Sequence, residues 1–519
     1  MEGQDGFFHG RGKVIYARRT PTAPMALHKK SSEPSKKTSL AQAVLYGFLS
    51  ILGRLLAAAP EAVPSAIARC IGWLIYSRPG SRRRALLANL HHAFPEKTER
   101  WRRRIALESC RRMVEMGLFV LASPYFSTRR IQRMFTADAD LAAALARQGE
   151  AGVMLVPHFS LMEALTQVRV ICPELRAEME MGAFYRPFGN AGLERWVKAT
   201  RERFGVRLLS RRDGFGEASA ILRRQGRVAV LFDQHAGRPG ALSLFMGRLV
   251  STSELAGLLA EKHHAQVFAY YTQRTGFWRG VLKGELLMET PVASAVTAAG
   301  NVWLENKLRS DEGFCADWLW MHKRWKIGAD ATRRFAITQR RNILPENLDA
   351  FGLAVCPRKE RFWIRLPDAP DDAAAAVPLV QAIRAARFDA EVTLIARASC
   401  KPVLERLDVA EKILVPPERG VRRWVFFRRL RREFPDTYVV LPDSRGADFE
   451  AWLTGAPQRF GVKQVHRCRP LLTHGWTVPR GVDATRAQQA RLWELWLQKA
   501  HGLPVPSASV PLESVPSAE

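Results

Sequence analysis

Apolar and polar positions form two sets of short, strand-like runs that are separated by stretches with helical spacing. The first set covers residues 152–156, 227–232, 266–271 and 281–288, and the second covers residues 362–366, 391–396, 412–415 and 438–441. Strands that alternate with helices are typical of an α/β sheet. The pattern therefore predicts an α/β fold in two parts. A sheet domain follows membrane-associated amino-terminal helices, and a second, Rossmann-like α/β lobe comes after it.

The amino-terminal region divides into a basic part and an apolar part. Residues 1–38 combine basic residues with Pro, Ser and Thr and lack apolar periodicity, so a disordered tail is predicted. Residues 40–53 are uncharged and apolar, but this run is shorter than the about 20 residues that span a bilayer. The run predicts a membrane anchor or an interfacial helix, with a buried core helix as the alternative.

Length and changes in composition set the other boundaries. A chain of 519 residues exceeds what one domain usually needs, so two globular units are expected. We place the first unit at residues 39–330 and the second at residues 359–501, joined by a linker over 331–358. Residues 502–519 are rich in Pro and Ser and predict a second disordered tail.

The charge balance limits the partners. Lys and Arg number 79 against 50 Asp and Glu, which gives a formal net charge of +29. Such an excess favours anionic lipid, an acidic carrier protein or nucleic acid. The sequence has no zinc-ligand spacing, helix-turn-helix signal or aromatic RNA-binding signature, so we do not expect a nucleic-acid partner. The seven cysteines are widely spaced without a C-x-x-C pair, which is typical of reduced thiols in the cytoplasm.

One histidine stands where α/β enzymes keep their reactive groups. The predicted strand 152–156 leads directly into His158, and Glu163 falls about one turn into the helix predicted next. A histidine held by a carboxylate is a competent general base for a substrate hydroxyl. The same spacing occurs at His28/Glu33 and His91/Glu96, so spacing alone is weak. The alternative is a packed core histidine beside a solvated glutamate.

Five ordered blocks resemble the late acyltransferases of lipid A biosynthesis over roughly residues 40–327. His158 and Glu163 match that family's His-x4-Asp/Glu motif. The other blocks are Arg83-Arg84 to Asn89 with Ala93-Phe94-Pro95-Glu96, then Tyr185-Arg186-Pro187 with Asn190, then residues 226–234 ending in Asp233-Gln234, and finally residues 318–326, which include Arg324. Many members have Gly-Asn-Trp where this chain has Ser160, Leu161 and Met162. This departure bears on acceptor or acyl-chain preference.

The resemblance implies an acyltransferase at the inner membrane, with its catalytic domain facing the cytoplasm. An acyl carrier protein thioester would be the donor and a hydroxyl of a lipid A precursor the acceptor, without a metal or cofactor. His158 would take the hydroxyl proton and Glu163 would orient it. Arg186 would stabilise the thioester oxyanion, unless it forms a structural ion pair with Asp233. The implied substrate-binding residues are Tyr185, Arg186, Asn190, Asp233, Gln234 and Arg324, although Asp233 and Gln234 could instead cap a helix or turn.

The second unit resembles the amino-terminal half of the heptosyltransferases of lipopolysaccharide synthesis. The matching residues are Ile364-Arg365-Leu366, Asp372, Val377-Pro378-Leu379 and Arg459-Phe460-Gly461. Asp372 corresponds to that family's candidate base, but Asp371 stands where the family has glycine. Because the donor-binding lobe has no counterpart in the sequence, we expect a docking or acceptor-recognition module without glycosyl transfer. The arginine-rich stretch 421–434 is predicted to rest on anionic lipid, with a solvated basic face as the alternative.

Three other functions remain open at this point. The acceptor could be another glycolipid, such as an acylated phosphoinositide mannoside. The chain could also be a non-catalytic scaffold that binds lipopolysaccharide precursors. A nucleic-acid binder rests on charge alone and would show salt-sensitive retention on DNA.

Overall fold

The computed structural model describes residues 40–146, 149–173, 175, 178–322, 324–325, 331–418, 420–465, 467–480, 482 and 488–505. The predicted tail at residues 1–38 and most of the tail predicted at 502–519 lie outside this part of the chain. Lys323 and residues 326–330, at the end of the fifth resembling block, lie outside it as well.

A group of helices precedes the first sheet. Their bounds are α1 (Leu40–Ala58), α2 (Ala62–Ser77), α3 (Ser81–Ala93), α4 (Glu99–Ala122) and α5 (Thr128–Met134). Both α1 and α2 pack on α4, and α4 begins where the Thr98 side chain accepts a hydrogen bond from the backbone N–H of Trp101. The predicted run 40–53 thus continues as one helix to residue 58.

The outer face of α1 is apolar and exposed. Val44, Phe48, Ile51 and Leu55 recur at helical spacing, and each exposes more than half of its surface. Within the described residues, Ala41–Ala58 is the one segment long and apolar enough to cross a membrane. This assignment rests on helix length and composition, two criteria that a core helix or a signal sequence also meets.

The first unit is built on a mixed sheet. Among the described residues this sheet has seven strands in the order β1-β9-β8-β2-β5-β3-β4, with β8 and β9 antiparallel and the other pairs parallel. The strands are β1 (Phe135–Ala137), β2 (Gly152–Val156), β3 (Met181–Tyr185), β4 (Val206–Ser210), β5 (Arg227–Leu231), β8 (Gln266–Gly276) and β9 (Arg279–Met288), while β6 (Ala241–Phe245) and β7 (Arg248–Thr252) form a separate antiparallel pair.

Both faces of this sheet are covered. Along β2, Val153 and Leu155 belong to one apolar core, while Met154 and Val156 belong to the core on the other face. The packing helices are α6 (Ala139–Ala146), α7 (Val168–Ile171), α8 (Ala191–Arg201), α9 (Phe215–Arg223), α10 (Leu255–His263), α11 (Ala293–Ser310) and α12 (Glu312–Asp317).

The segment predicted as a linker, residues 331–358, is structured against the first unit. It contains β10 (Arg341–Asn342), which pairs parallel with β6, and α13 (Leu344–Ala350). The Asn347 side chain accepts a hydrogen bond from the backbone N–H of Leu244 at 3.2 Å. These contacts attach the segment to the first unit, so it is no free connector.

The second unit is a parallel α/β sheet. Its described strands run in the order β13-β12-β11-β14-β15-β16, the 3-2-1-4-5-6 order of a Rossmann fold, which confirms the predicted fold class. The strands are β11 (Glu360–Arg365), β12 (Ala390–Ile395), β13 (Lys412–Leu414), β14 (Thr437–Val440), β15 (Gln458–Lys463) and β16 (His474–Thr477). The helices are α14 (Pro370–Ala375), α15 (Val377–Ala386), α16 (Lys401–Arg406), α17 (Val421–Arg429), α18 (Arg445–Thr454) and α19 (Gln489–His501).

The two units meet through charged contacts. Arg248 of β7 is 2.8 Å from the carboxylate of Asp436, just before β14. Arg84 of α3 donates to the backbone carbonyl of Thr454 at the end of α18, at 2.8 Å. The interface therefore joins α3 and β7 of the first unit to the second sheet.

Candidate active site

Strand register brings His158 beside Asp233. β2 and β5 are parallel neighbours in which Val156 faces Leu231, so the residues two places beyond each strand meet at the carboxyl edge of the sheet. Nδ1 of His158 lies 2.5 Å from Oδ1 of Asp233, and the backbone N–H of His158 donates to Oδ2 at 2.8 Å. The carboxylate therefore holds both the ring and the backbone of the histidine.

Asp233 is a buried and ionised carboxylate. The indole N–H of Trp318 donates to its Oδ2 at 2.7 Å. Burial alone would raise the pKa of Asp233, but the charge and hydrogen bonds of His158, together with the Trp318 donor, lower the pKa to about 2. An anion here fixes a ring tautomer with the proton on Nδ1, which leaves Nε2 of His158 as the basic atom.

Gln234 faces that basic atom. Its Nε2 lies 2.8 Å from Nε2 of His158, so the amide donates to the imidazole lone pair. Arg324 is fully buried, and its Nη1 donates to the backbone carbonyls of Gln234 and Ser251 at 3.0 Å. Its Nη2 donates to the side chains of Thr252 and Asn301. Arg324, predicted to bind substrate, thus positions the loop that carries Gln234.

Glu163 does not hold His158. It lies in a 3₁₀ turn, Met162–Gln167, and both its carboxylate oxygens bind Arg201 of α8, at 2.7 and 2.9 Å. An α-helical turn at this place would bring Glu163 back to the histidine, whereas the 3₁₀ turn directs its side chain towards α8. The predicted orienting role of Glu163 is corrected: the carboxylate that contacts His158 is Asp233.

The other predicted residues divide between the cavity wall and local structure. Tyr185 and Arg186 line a cavity in front of His158, and Arg186 is exposed. The Tyr185 hydroxyl donates to the Glu194 carboxylate. Asn190 caps α8, because its side-chain oxygen accepts from the backbone N–H groups of Gly192 and Leu193 at 2.9 and 3.0 Å. The ion pair considered for Arg186 and Asp233 is replaced by the contact between Asp233 and His158.

The cavity is large and mostly apolar. Its volume is about 560 Å³, and His158, Gln234 and Arg186 stand at the carboxyl edge of the sheet. From there the cavity extends along the strands to Arg227, the first residue of β5. Five residues of a strand give it a length of about 16 Å. The apolar wall consists of Met154, Val156, Met162, Leu165, Ala183, Val206, Leu208, Ala229, Leu231 and Tyr270, among others. A slot of this kind fits an extended hydrocarbon chain.

Three site residues had no usable signal in the sequence. Trp318 was noted only as part of a matching block, and Arg201 and Asp317 were not singled out. The Ser160 hydroxyl donates to the buried Asp317 carboxylate, and burial raises the pKa of Asp317 while Arg112, at 3.5 Å, opposes the rise. Ser160, one of the departures from the family motif, is thus a packed residue behind the histidine.

Asp372 of the second unit lies in α14, a six-residue helix at the carboxyl edge of the second sheet. The neighbouring residues at this edge are tied in ion pairs: Arg365 with Asp368 at 2.5 Å and with Glu450 at 3.2 Å. Across the described residues of both units, no group of three or more His, Cys, Asp or Glu side chains is placed to hold a metal ion.

Fold and site together define an α/β enzyme with a buried histidine–aspartate pair at the mouth of an apolar cavity. The chain belongs to the bacterial lipid A biosynthesis acyltransferase family, whose sequence model matches residues 33–327. Membership of this family indicates acyl transfer as the kind of activity. No curated protein sequence matches the chain significantly.

Two solved structures are similar to part of the chain. E. coli ADP-heptose lipopolysaccharide heptosyltransferase II is 20% identical over 26% of this chain and 39% of its own, with a TM-score of 0.23. The glycosyl transferase family 9 protein of Veillonella parvula is 17% identical over 28% of this chain and 41% of its own, with a TM-score of 0.24. The chain thus spans about two fifths of the length of either protein.

Proposed function

We propose that the protein transfers a fatty acyl group from an acyl carrier protein thioester to a hydroxyl of a lipid A precursor, with His158 as general base. The observation that carries this proposal is the 2.5 Å contact between His158 Nδ1 and Asp233 at the mouth of the apolar cavity. A base, its orienting anion and a slot for a hydrocarbon chain are what acyl transfer to an alcohol requires.

In the proposed reaction, Nε2 of His158 takes the proton of the acceptor hydroxyl as its oxygen attacks the thioester carbonyl. The buried Asp233 carboxylate stabilises the imidazolium that forms. When the carbon–sulfur bond breaks, the thiolate leaves and the imidazolium returns the proton to it. The incoming hydroxyl takes the place of the Gln234 amide at Nε2, which frees this amide to donate elsewhere.

The tetrahedral intermediate needs a donor for its oxyanion. Arg186 follows β3, is exposed and lines the cavity beside Tyr185, so its guanidinium has freedom to reach the thioester oxygen. Gln234 is a second donor at the same edge. The acyl chain lies along the apolar wall, where burial contributes about 25 cal/mol per Å² of apolar surface.

The proposed location is the inner membrane, with the catalytic unit on the cytoplasmic side. The exposed apolar face of α1 and the exposed Ile71, Trp73 and Leu74 of α2 would enter the interfacial layer. The net charge of +29 favours an anionic leaflet as well as the acidic carrier protein and the phosphorylated acceptor.

The test is to incubate the membrane-bound protein with acyl carrier protein thioesters and a tetra-acylated lipid A precursor, and to read the products by mass spectrometry. We expect a gain of one acyl group, lost in His158→Ala. A Glu194→Gln variant removes a carboxylate from the cavity region without touching His158 and should keep the product.

The alternative acceptor is another glycolipid. The buried Ser160 and Leu161, which stand where many family members have Gly-Asn, favour a test of this alternative. If a different glycolipid gains the acyl group and the lipid A precursor does not, the acceptor assignment is wrong and the chemistry stands. If no acceptor gains mass with any thioester, the proposal as a whole is wrong and a binding scaffold takes its place.

A further inference from the structure

A second cavity lies at the junction of the two units. Its volume is about 390 Å³, and it shares no lining residue with the cavity at His158. Five segments that are distant in sequence form its wall: the end of α3, the start of β7, the segment that enters β11, the start of β12 and the residue before β13. The lining residues are His91, His92, Pro95, Arg248, Cys356, Pro357, Arg358, Lys359, Arg361, Glu391 and Glu411.

Arg248 is the most deeply buried cation in this wall, with only 2% of its surface exposed. One of its nitrogens, Nη2, binds the Asp436 carboxylate at 2.8 Å. Its Nε and Nη1 have no hydrogen-bond partner within the part of the chain that the structure describes. Burial removes water from this guanidinium, and the one carboxylate that it shares accepts a hydrogen bond from only one of its three nitrogens. The free-energy cost of burying the charge is therefore only partly offset.

That single carboxylate is also shared with other groups. Oδ2 of Asp436 accepts the backbone N–H of Arg361 at 2.9 Å, and Oδ1 lies 3.4 Å from Nε2 of His92. Burial first, and then the positive charge of Arg248, lower the pKa of His92 to about 4. Arg361 lowers this pKa further, while the charge and hydrogen bond of Asp436 oppose the fall.

The charges around the opening are unequal. Arg248, Arg358, Lys359 and Arg361 are cationic, and the carboxylates that line the same cavity are Glu391 and Glu411. Glu411 is already engaged, at 3.8 Å from Lys359 and 3.4 Å from Arg384, and it accepts the backbone N–H of Val392. Carboxylates outside the wall meet part of the remaining charge, since Arg358 lies 3.5 Å from Glu96 and Arg361 lies 3.7 Å from Glu433. The donors that lack an acceptor among the described residues are Nε and Nη1 of the buried Arg248.

We propose that this cavity between the two units binds a phosphate group, either inorganic phosphate or the phosphate monoester of a lipid headgroup. Phosphate supplies several acceptor oxygens and about two negative charges, which matches a desolvated guanidinium flanked by further cations. Because α3 and β7 belong to the first unit and β11 to the second, the bound anion holds the two units together. The site is independent of the proposed acyl transfer.

The test uses the full-length protein in neutral detergent micelles. Thermal unfolding is followed while inorganic phosphate is titrated at constant ionic strength, and then while phosphatidic acid is introduced in the micelles instead. Saturable binding to the folded state raises Tm, here by about 2 °C or more at saturation. The two titrations distinguish a free phosphate from a lipid headgroup.

Two variants that each remove one ion pair to Glu411 provide the matched comparison. Lys359→Gln removes a cation that lines the cavity, and Arg384→Gln removes one that does not. We expect Lys359→Gln to weaken phosphate binding about three- to tenfold, and Arg384→Gln to leave it within about twofold of the unsubstituted protein. Arg361→Gln serves as a second cavity variant.

Either ligand supports the site when the concentration that gives a stated Tm shift rises about three- to tenfold in Lys359→Gln and stays within about twofold in Arg384→Gln. A shift from inorganic phosphate identifies a soluble ligand, and a shift from phosphatidic acid alone identifies a headgroup. No saturable shift with either ligand, or equal shifts in all variants, would overturn the proposal.

Discussion

At His158 the imidazole ring lies between a carboxylate on Nδ1 and an amide on Nε2. The sequence predicted the wrong carboxylate as the partner of His158. Glu163 is close to His158 in sequence, whereas Asp233 reaches it through the pairing of β2 with β5. The strands β3 and β4 lie between β2 and β5 along the chain. A rule based on short sequence spacing therefore cannot find the pair of His158 and Asp233.

Replacing the two carboxylates separately distinguishes their roles. Asp233→Asn keeps the shape but removes the charge that stabilises the imidazolium, so kcat should fall roughly 10³-fold. Glu163→Gln weakens only the wall contact with Arg201 and should lower kcat roughly tenfold or less. Steady-state assays of both variants measure this. A larger loss in Glu163→Gln than in Asp233→Asn would restore the original prediction.

The cavity wall predicts a change in acyl-chain preference. Ala229 lines the slot from β5, so Ala229→Leu fills part of it and should shift the preferred thioester to a shorter chain. Each methylene that is no longer buried lowers binding by about 0.8 kcal/mol. Competition between thioesters of different length measures the shift. Ala199→Leu adds the same volume on the exposed side of α8 and should leave the preference unchanged.

At the scale of elements, α17 presents a basic and aromatic surface. Val421, Trp424 and Val425 are exposed, and so is Trp452 of α18. Phe449 joins the two tryptophans, because Trp424 meets its ring edge to face and Trp452 stacks on it. Arg423 forms an ion pair with Glu450 at 2.6 Å, whereas Arg422, Arg428, Arg429, Arg431 and Arg432 are exposed and available to lipid. Arginine beside tryptophan is suited to an anionic bilayer surface.

Charge reversal on this helix tests the lipid contact. Arg428→Glu combined with Arg429→Glu should lower binding to anionic vesicles at least about tenfold, since each basic residue near the surface contributes about 1 kcal/mol. Lys401→Glu with Arg406→Glu makes the same change of charge on the exposed face of α16. Flotation of vesicles with both double variants gives the comparison, and an equal loss in the two would mean that net charge alone drives binding.

The elements themselves were predictable to different degrees. The strand β2 is a continuous apolar run, which a parallel sheet covered on both faces requires. The short β10 was missed because both its residues are exposed and its pairing with β6 is a tertiary contact. The change of composition near residue 330 therefore predicted a linker, whereas the segment is bound to the first unit.

At the scale of the whole molecule, the two units are joined by groups that respond to pH. His92 of α3 is buried, and it faces Arg248 from β7, Arg361 from β11, Asp436 before β14 and its own neighbour His91. Asp436 is held well below its ordinary pKa, because Arg248 and His92 outweigh the effect of burial. Protonation of the histidine or of the aspartate therefore weakens this interface.

These pKa shifts predict that the interface weakens in mild acid. The pKa of His92 falls from 6.5 to about 4 on folding. The unfolded chain therefore takes up a proton below about pH 6.5, while the folded chain does so only near pH 4. Stability is lost as pH falls through this window, by about 1.4 kcal/mol per pH unit for this histidine.

Chemical denaturation at pH 7 and pH 5 measures the effect. The free energy of unfolding should fall by about 2 kcal/mol more in the unsubstituted protein than in His92→Gln, whose amide can still donate to Asp436 but does not titrate. His264→Asn, at the exposed end of α10 and outside the interface, should keep the full pH dependence. Because Asp436 loses its own contribution only below its ordinary pKa of 3.8, it does not mask the difference in this window. Equal pH dependence in His92→Gln and the unsubstituted protein would show that the histidine is not the group that senses pH at this interface.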